Sequence, residues 1–134
     1  LNDHEALIKS EGPAGLLLCR DLIFISKVTG TAHALGRRVV VLENSSVVLK
    51  MLTNWVPKFV FVDLSAGELV SAASIAAYRE IAGPKVPFLA FGSHVDTQAL
   101  TDARNAGCDP VMPRSRFSNE LPSLISHYFG EGQV

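Results

Sequence analysis

Several chemistry-bearing side chains stand at or just past the ends of short apolar runs. Asp63 follows Phe59-Val60-Phe61-Val62, and Ser26 and Lys27 follow Leu22-Ile23-Phe24-Ile25. Arg114 follows Val111-Met112-Pro113, while Gly92, Ser93 and His94 follow Pro87-Phe88-Leu89-Ala90-Phe91. A carboxylate and two cations in such places suit an ion pair. A further stretch, Thr29-Gly30-Thr31, carries two hydroxyls and a glycine next to Lys27. At a strand-to-helix junction its backbone N–H groups would suit an anion.

Other chemistries find little support. His4, His33, His94 and His127 are too scattered to ligate one metal, and Cys19 and Cys108 form neither a CxxC pair nor a Cys/His cluster. No Ser/His/Asp or Cys/His arrangement is legible, so the chain is not expected to be an enzyme, and no metal or other cofactor is expected. Two isolated cysteines fit reduced thiols in a cytoplasmic protein.

The elements that must position these residues alternate. Apolar runs at 22–26, 39–42, 59–62, 87–91 and 111–112 read as strands buried on both faces. Between them, helices are expected at 28–35, ending at Gly36, and at 45–54, capped by Asn44. Further helices are expected at 69–81, stopped by Gly83-Pro84, and at 97–106, capped by Asp96 and closed by Gly107. A last helix is expected from a Ser118 cap to about Phe129, with Pro122 in its first turn. In the second of these, Val48, Met51, Leu52 and Trp55 recur at i, i+3, i+4 and i+7. This βα alternation predicts an α/β fold, a parallel sheet with helices on both faces. Residues 1–18 read as an N-terminal tail or extra helix, and residues 19–134 as one domain.

The 134 residues are 48% hydrophobic and 19% charged, enough for a sizeable core. Twelve basic against thirteen acidic residues give a formal charge of −1, which speaks against nucleic acid as a partner. No apolar run approaches the ~18–20 residues of a membrane span. The run Leu16-Leu17-Leu18-Cys19 is cut by Arg20 and Asp21 and lacks a basic lead, so it does not read as a signal peptide.

Particular residues narrow the fold. Pro57-Lys58-Phe59-Val60-Phe61-Val62-Asp63-Leu64 resembles the third strand of bacterial response-regulator receiver domains, which ends in a phosphate-accepting Asp. Val86-Pro87-Phe88-Leu89-Ala90-Phe91 resembles the fourth strand, and Ala106-Gly107-Cys108-Asp109 with Val111-Met112-Pro113-Arg114 the stretch around the fifth. The resemblance spans about residues 21–130. It implies a flavodoxin-like (CheY-like) three-layer αβα sandwich with a five-stranded parallel sheet in the order 2-1-3-4-5.

Against that pattern, the acidic pair that holds Mg²⁺ at the end of the first strand aligns with Ser26 and Lys27. The Thr or Ser ending the fourth strand aligns with Gly92, with Ser93 one step later, and the fifth-strand lysine with Arg114. The first and third strands are neighbours in that order, so Lys27 and Asp63 would end adjacent strands. Asp63 with Lys27 and Arg114 sums to +1, a poor setting for a divalent cation. The resemblance therefore implies a degenerate pseudo-receiver, with Lys27 in the metal's place. It would be a non-catalytic interaction module in bacterial signal transduction, with an unknown signalling protein as partner and a homodimer through the last two helices and fifth strand. One alternative is an active receiver phosphorylated on Asp63 by a histidine kinase. Another is a small anionic-ligand or nucleotide-type binder using Thr29–Thr31.

Overall fold

The computed structural model describes residues 11–130. The expected tail or extra helix lies outside the described residues over positions 1–10. In chain order the elements are β1 (Gly15–Leu18), α1 (Leu22–Ala34), β2 (Val39–Leu42), α2 (Ser45–Asn54) and β3 (Val60–Asp63). A short 3-10 turn (Gly67–Val70) follows, then α3 (Ala72–Ala82), β4 (Phe88–Gly92), α4 (Thr97–Asn105), β5 (Val111–Pro113) and α5 (Arg114–Tyr128). All strand pairs are parallel, and the sheet order is β2-β1-β3-β4-β5. This is the expected flavodoxin-like three-layer architecture.

The first βα unit departs from expectation. The run Leu22–Ser26 is not a strand; it opens α1. The first strand is Gly15–Leu18, inside the stretch read as tail. The physical reason is burial. β1 sits at the second place in the sheet, paired on both sides, and Leu16, Leu17 and Leu18 are wholly buried. Leu22 and Ile23 are 75% and 84% exposed, which a central strand could not accommodate. Asp21 stops the strand-like reading: its Oδ1 accepts from the N–H groups of Ile23 (3.0 Å) and Phe24 (3.2 Å), capping α1. From there Val28 and Ala32, four apart, face the core.

Other boundaries follow the expected chemistry. Asn44 Oδ1 caps α2, accepting from the N–H groups of Ser46 and Val47, and Asp96 Oδ1 caps α4, accepting from Ala99 N–H. Gly36, at φ 70°, closes the α1 end as a C′ glycine. The expected helix at 69–81 divides, because Ser71 ends the 3-10 turn and its Oγ accepts from Ser74 N–H to start α3. The last helix starts at Arg114 rather than at Ser118, which puts Pro122 in the helix interior. There Pro122 has no N–H to offer the Ser118 carbonyl four residues back.

Strand alternation divides the core. Leu16, Leu18, Val60, Val62, Phe88 and Ala90 pack toward α2, α3 and α4. Leu17, Cys19, Phe59, Phe61, Phe91 and Met112 pack toward α1 and α5. Gly15 is required by this second layer, since a Cβ there would lie 2.0 Å from Cζ of the Phe59 ring.

Candidate functional site

The site grows from the carboxyl end of β3, next to that of β1. Asp63 is the last residue of β3 and is wholly buried. Its Oδ1 accepts three hydrogen bonds: from Ser65 N–H (3.0 Å), from Ser65 Oγ (2.8 Å) and from Arg114 Nη2 (2.7 Å). Its Oδ2 accepts from the Cys19 thiol at 3.2 Å. Every one of these donors comes from a strand end or the turn after it.

Arg114 is placed by the β5–α5 junction, where α5 begins directly after Pro113. Its Nη2 also donates to Ser65 Oγ (2.8 Å), so one nitrogen bridges the carboxylate and the hydroxyl. The guanidinium carbon lies 5.4 Å from the centre of the Phe24 ring. Phe24 stacks in turn on Phe91 (5.2 Å) and Phe117 (5.9 Å). The Arg114 side chain keeps about a third of its surface exposed while Asp63 keeps none. Burial pushes the Cys19 thiol up to about 12; the Asp21 carbonyl opposes this, and the bond and charge of Asp63 add to it. Cys19 thus stands as a neutral donor to the carboxylate.

The structure gathers the expected residues unequally. Asp63 and Arg114 meet. Lys27 does not join them: it lies in α1, exposed, and its ammonium donates to Ser118 Oγ on α5. Ser26, also in α1, is exposed. The expectation that Lys27 ends a strand beside Asp63 is corrected here, and the cation on Asp63 is Arg114. Gly92 ends β4, with Leu64 3.2 Å from where its Cβ would be. Ser93 turns outward, its Oγ accepting from Val95 N–H at 3.4 Å.

Thr29, Gly30 and Thr31 are not a loop. They lie inside α1, with Thr29 Oγ1 donating to the Ile25 carbonyl (2.8 Å) and Thr31 Oγ1 to the Lys27 carbonyl (2.7 Å). Their backbone N–H groups belong to the helix, so no anion cradle forms there.

Sequence reasoning missed Cys19, Arg20 and Ser65. The residues after β1 are Cys19 and Arg20. Arg20 reaches across the strand ends, donating from Nη1 to the Ala66 carbonyl and from Nη2 to the Glu43 carbonyl, both at 3.1 Å. The signal for this was the Asp21 cap, which marks where α1 must begin. Ser65 had no signal beyond lying two residues after Asp63.

No protein-family model and no curated protein sequence matches this chain. Solved structures do. A response regulator from Thermotoga maritima shares 19% identity over 89% of this chain and 98% of its own, with a TM-score of 0.70. The receiver domain of the sensor histidine kinase PA1611 of Pseudomonas aeruginosa, which has a magnesium ion coordinated in its active site cleft, shares 15% over 90% and 99%, at 0.73. A two-component response regulator from Clostridium difficile shares 12% over 92% and 100%, at 0.74. The fold is that of CheY-like receiver domains.

The residues present do not fit a magnesium ion. Such an ion takes hard oxygen ligands, with carboxylates among them. The β1–α1 junction Cys19-Arg20-Asp21 offers one carboxylate, and its Oδ1 caps α1. Asp63 has both oxygens engaged by donors, one of them a guanidinium. Among the described residues, no group of three or more His, Cys, Asp or Glu side chains is arranged to hold a metal ion.

Proposed function

We propose that this chain is a pseudo-receiver: a non-catalytic, cytoplasmic interaction module in bacterial signal transduction that works through a protein partner. The observation that carries this reading is the saturated state of Asp63. A receiver's aspartate attacks phosphorus, and the charge on the moving phosphoryl group is normally neutralised by a metal ion. Here the carboxylate is buried, accepts four hydrogen bonds and is paired with Arg114. Attack would require Arg114, Ser65 or Cys19 to leave first. The same contacts tie β1, β3 and the start of α5 together, which favours one fixed arrangement over a switch between two.

The test is incubation of the full chain with Mg²⁺ and acetyl phosphate, read by intact mass. A parallel sample with Mg²⁺ and beryllofluoride is read by amide NMR shifts around Asp63. The expected result is an unchanged mass and unchanged shifts. A phosphoryl adduct abolished by Asp63→Asn would mean an active receiver instead, phosphorylated on Asp63.

A further inference from the structure

The sheet has two outer edges, and they differ. The β5 edge is three residues long, ends in Pro113 and is preceded by Pro110. The β2 edge, Val39-Val40-Val41-Leu42, has no proline, charge or glycine in it, and its three valines are only half-buried. Edge strands are normally blunted by such residues, because their outward N–H and C=O groups template pairing with another chain.

The pairing with β1 settles which groups face outward. Gly15 N–H donates to the Arg38 carbonyl, and Gly15 aligns with Val39. In a parallel ladder the residues then alternate, so Val40 turns its N–H and C=O toward β1 while those of Val39 and Val41 point away. The side chains of Val39 and Val41 share the α1 face of the sheet. That face is low beside the edge. Ser26, Thr29 and Gly30 line a furrow of about 450 Å³ there, and a Cβ added to Gly30 would meet nothing within 4 Å. A second, separate furrow of about 400 Å³, lined by Leu22, Ile25 and Val41, lies farther along the same edge.

We propose that two copies of this chain join through β2, antiparallel about a twofold axis perpendicular to the sheet, making one continuous ten-stranded sheet from two of five. The axis keeps each face on its own side, so directly opposed residues must have the same parity along the strand. Charge then selects the register. With Val40 opposite Val40 of the second copy, Val39 lies opposite Val41 of that copy, and each such pair exchanges both main-chain hydrogen bonds. The same register brings Arg37, half-buried just before the strand with its guanidinium 5.0 Å from the Phe129 ring centre, opposite the exposed Glu43 just after it, twice by symmetry. Opposite charges directly across an antiparallel pair are favourable, and neighbouring registers lose this match. Arg20, holding the Glu43 carbonyl, fixes that end of the strand. The inference concerns the edge opposite β5 and stands independently of whether Asp63 accepts phosphate.

The experiment is sedimentation equilibrium on the full chain, with variants checked for folding by circular dichroism. The expected result is a dimer that Glu43→Arg weakens about tenfold by setting Arg37 against a like charge. Arg37→Glu combined with Glu43→Arg restores it. A second readout reports the register. V40C, lying about 4.5 Å Cα to Cα from its own copy, is expected to form a disulfide-linked dimer about tenfold faster than V39C under mild oxidation. A chain that stays monomeric at all concentrations would overturn the proposal. So would a dimer that is indifferent to Glu43→Arg and in which V40C crosslinks no faster than V39C, since that dimer would use another surface, such as β5 with the last two helices.

Discussion

Arg114 Nη2 lies 2.7 Å from Asp63 Oδ1, a bond between the start of α5 and the end of β3 that joins elements 51 residues apart. The carboxylate it holds is wholly buried, whereas the arginine side chain keeps about a third of its surface exposed, has its Nε buried without a partner and lays its guanidinium over Phe24. The pair is therefore asymmetric: removing the arginine strands a buried charge, while the arginine itself has solvent as an alternative partner.

Arg114→Ala is expected to destabilise the fold by about 2 kcal/mol, because Ser65 and Cys19 alone must then support the Asp63 charge. Urea denaturation reads this directly. Adding Asp63→Asn to Arg114→Ala is expected to recover part of the loss, since no unpaired charge is left inside. Equal, additive losses would mean that the two side chains do not act on one another.

Lys27→Ala is the matching control. The lysine is exposed and its ammonium bonds a half-buried serine on α5, so the change is expected to stay within about 0.5 kcal/mol of the parent protein. A loss as large as that of Arg114→Ala would place the lysine on the carboxylate after all.

Much of the architecture is legible in the residue pattern, and the particular failure has a particular cause. Val39–Leu42 and Ser45–Asn54 read correctly because a compact apolar run, an Asn44 cap and an i, i+3, i+4 stripe all agree. Leu22-Ile23-Phe24-Ile25 misleads because β-rich composition is a local property, while strand position is settled by burial. Gly15–Leu18 is the shorter run, yet it alone can be covered on both faces. The site inherits that split. Asp63 and Arg114, anchored to correctly placed strands, fall where the pattern puts them. Lys27 moves onto a helix, and Cys19 takes the position beside the carboxylate.

The corrected first strand makes its own prediction. Gly15→Ala would drive a methyl group into the Phe59 ring, which is already stacked on Phe61 at 4.1 Å and edged by Phe129 at 5.5 Å. With no room for the ring to retreat, a loss of about 1–3 kcal/mol is expected. Phe59→Leu in the same chain is expected to relieve part of the clash. If Gly15→Ala melts with the parent protein, residue 15 is not in an interior strand of the sheet.

Asp21→Ala tests the start of α1. Losing the side-chain cap is expected to cost about 1 kcal/mol and to loosen the first turn, including Phe24 beneath the Arg114 guanidinium. Amide hydrogen exchange should then rise at residues 22–25 and change little in α4. Uniform exchange would argue against Asp21 as the helix start.

The two buried thiols give the fold a pH dependence at the alkaline end. Burial raises both Cys19 and Cys108 from 9.0 to about 12, with the charge of Arg79 pulling Cys108 the other way. In the unfolded chain each thiol loses its proton near 9; in the folded chain each keeps it. Above pH 9 the unfolded state therefore binds fewer protons than the native state, and stability must fall as pH rises from 9 toward 12. Below pH 9 both states hold these protons and the contribution is flat. Urea midpoints at about pH 8 and about pH 10 should show the decline. Cys19→Ala with Cys108→Ala lowers the midpoint at both values through lost packing but is expected to flatten the slope between them, because the groups that released protons are gone. A slope unchanged in the double variant would assign the alkaline loss to other groups, Tyr128 first among them, since burial raises that phenol too.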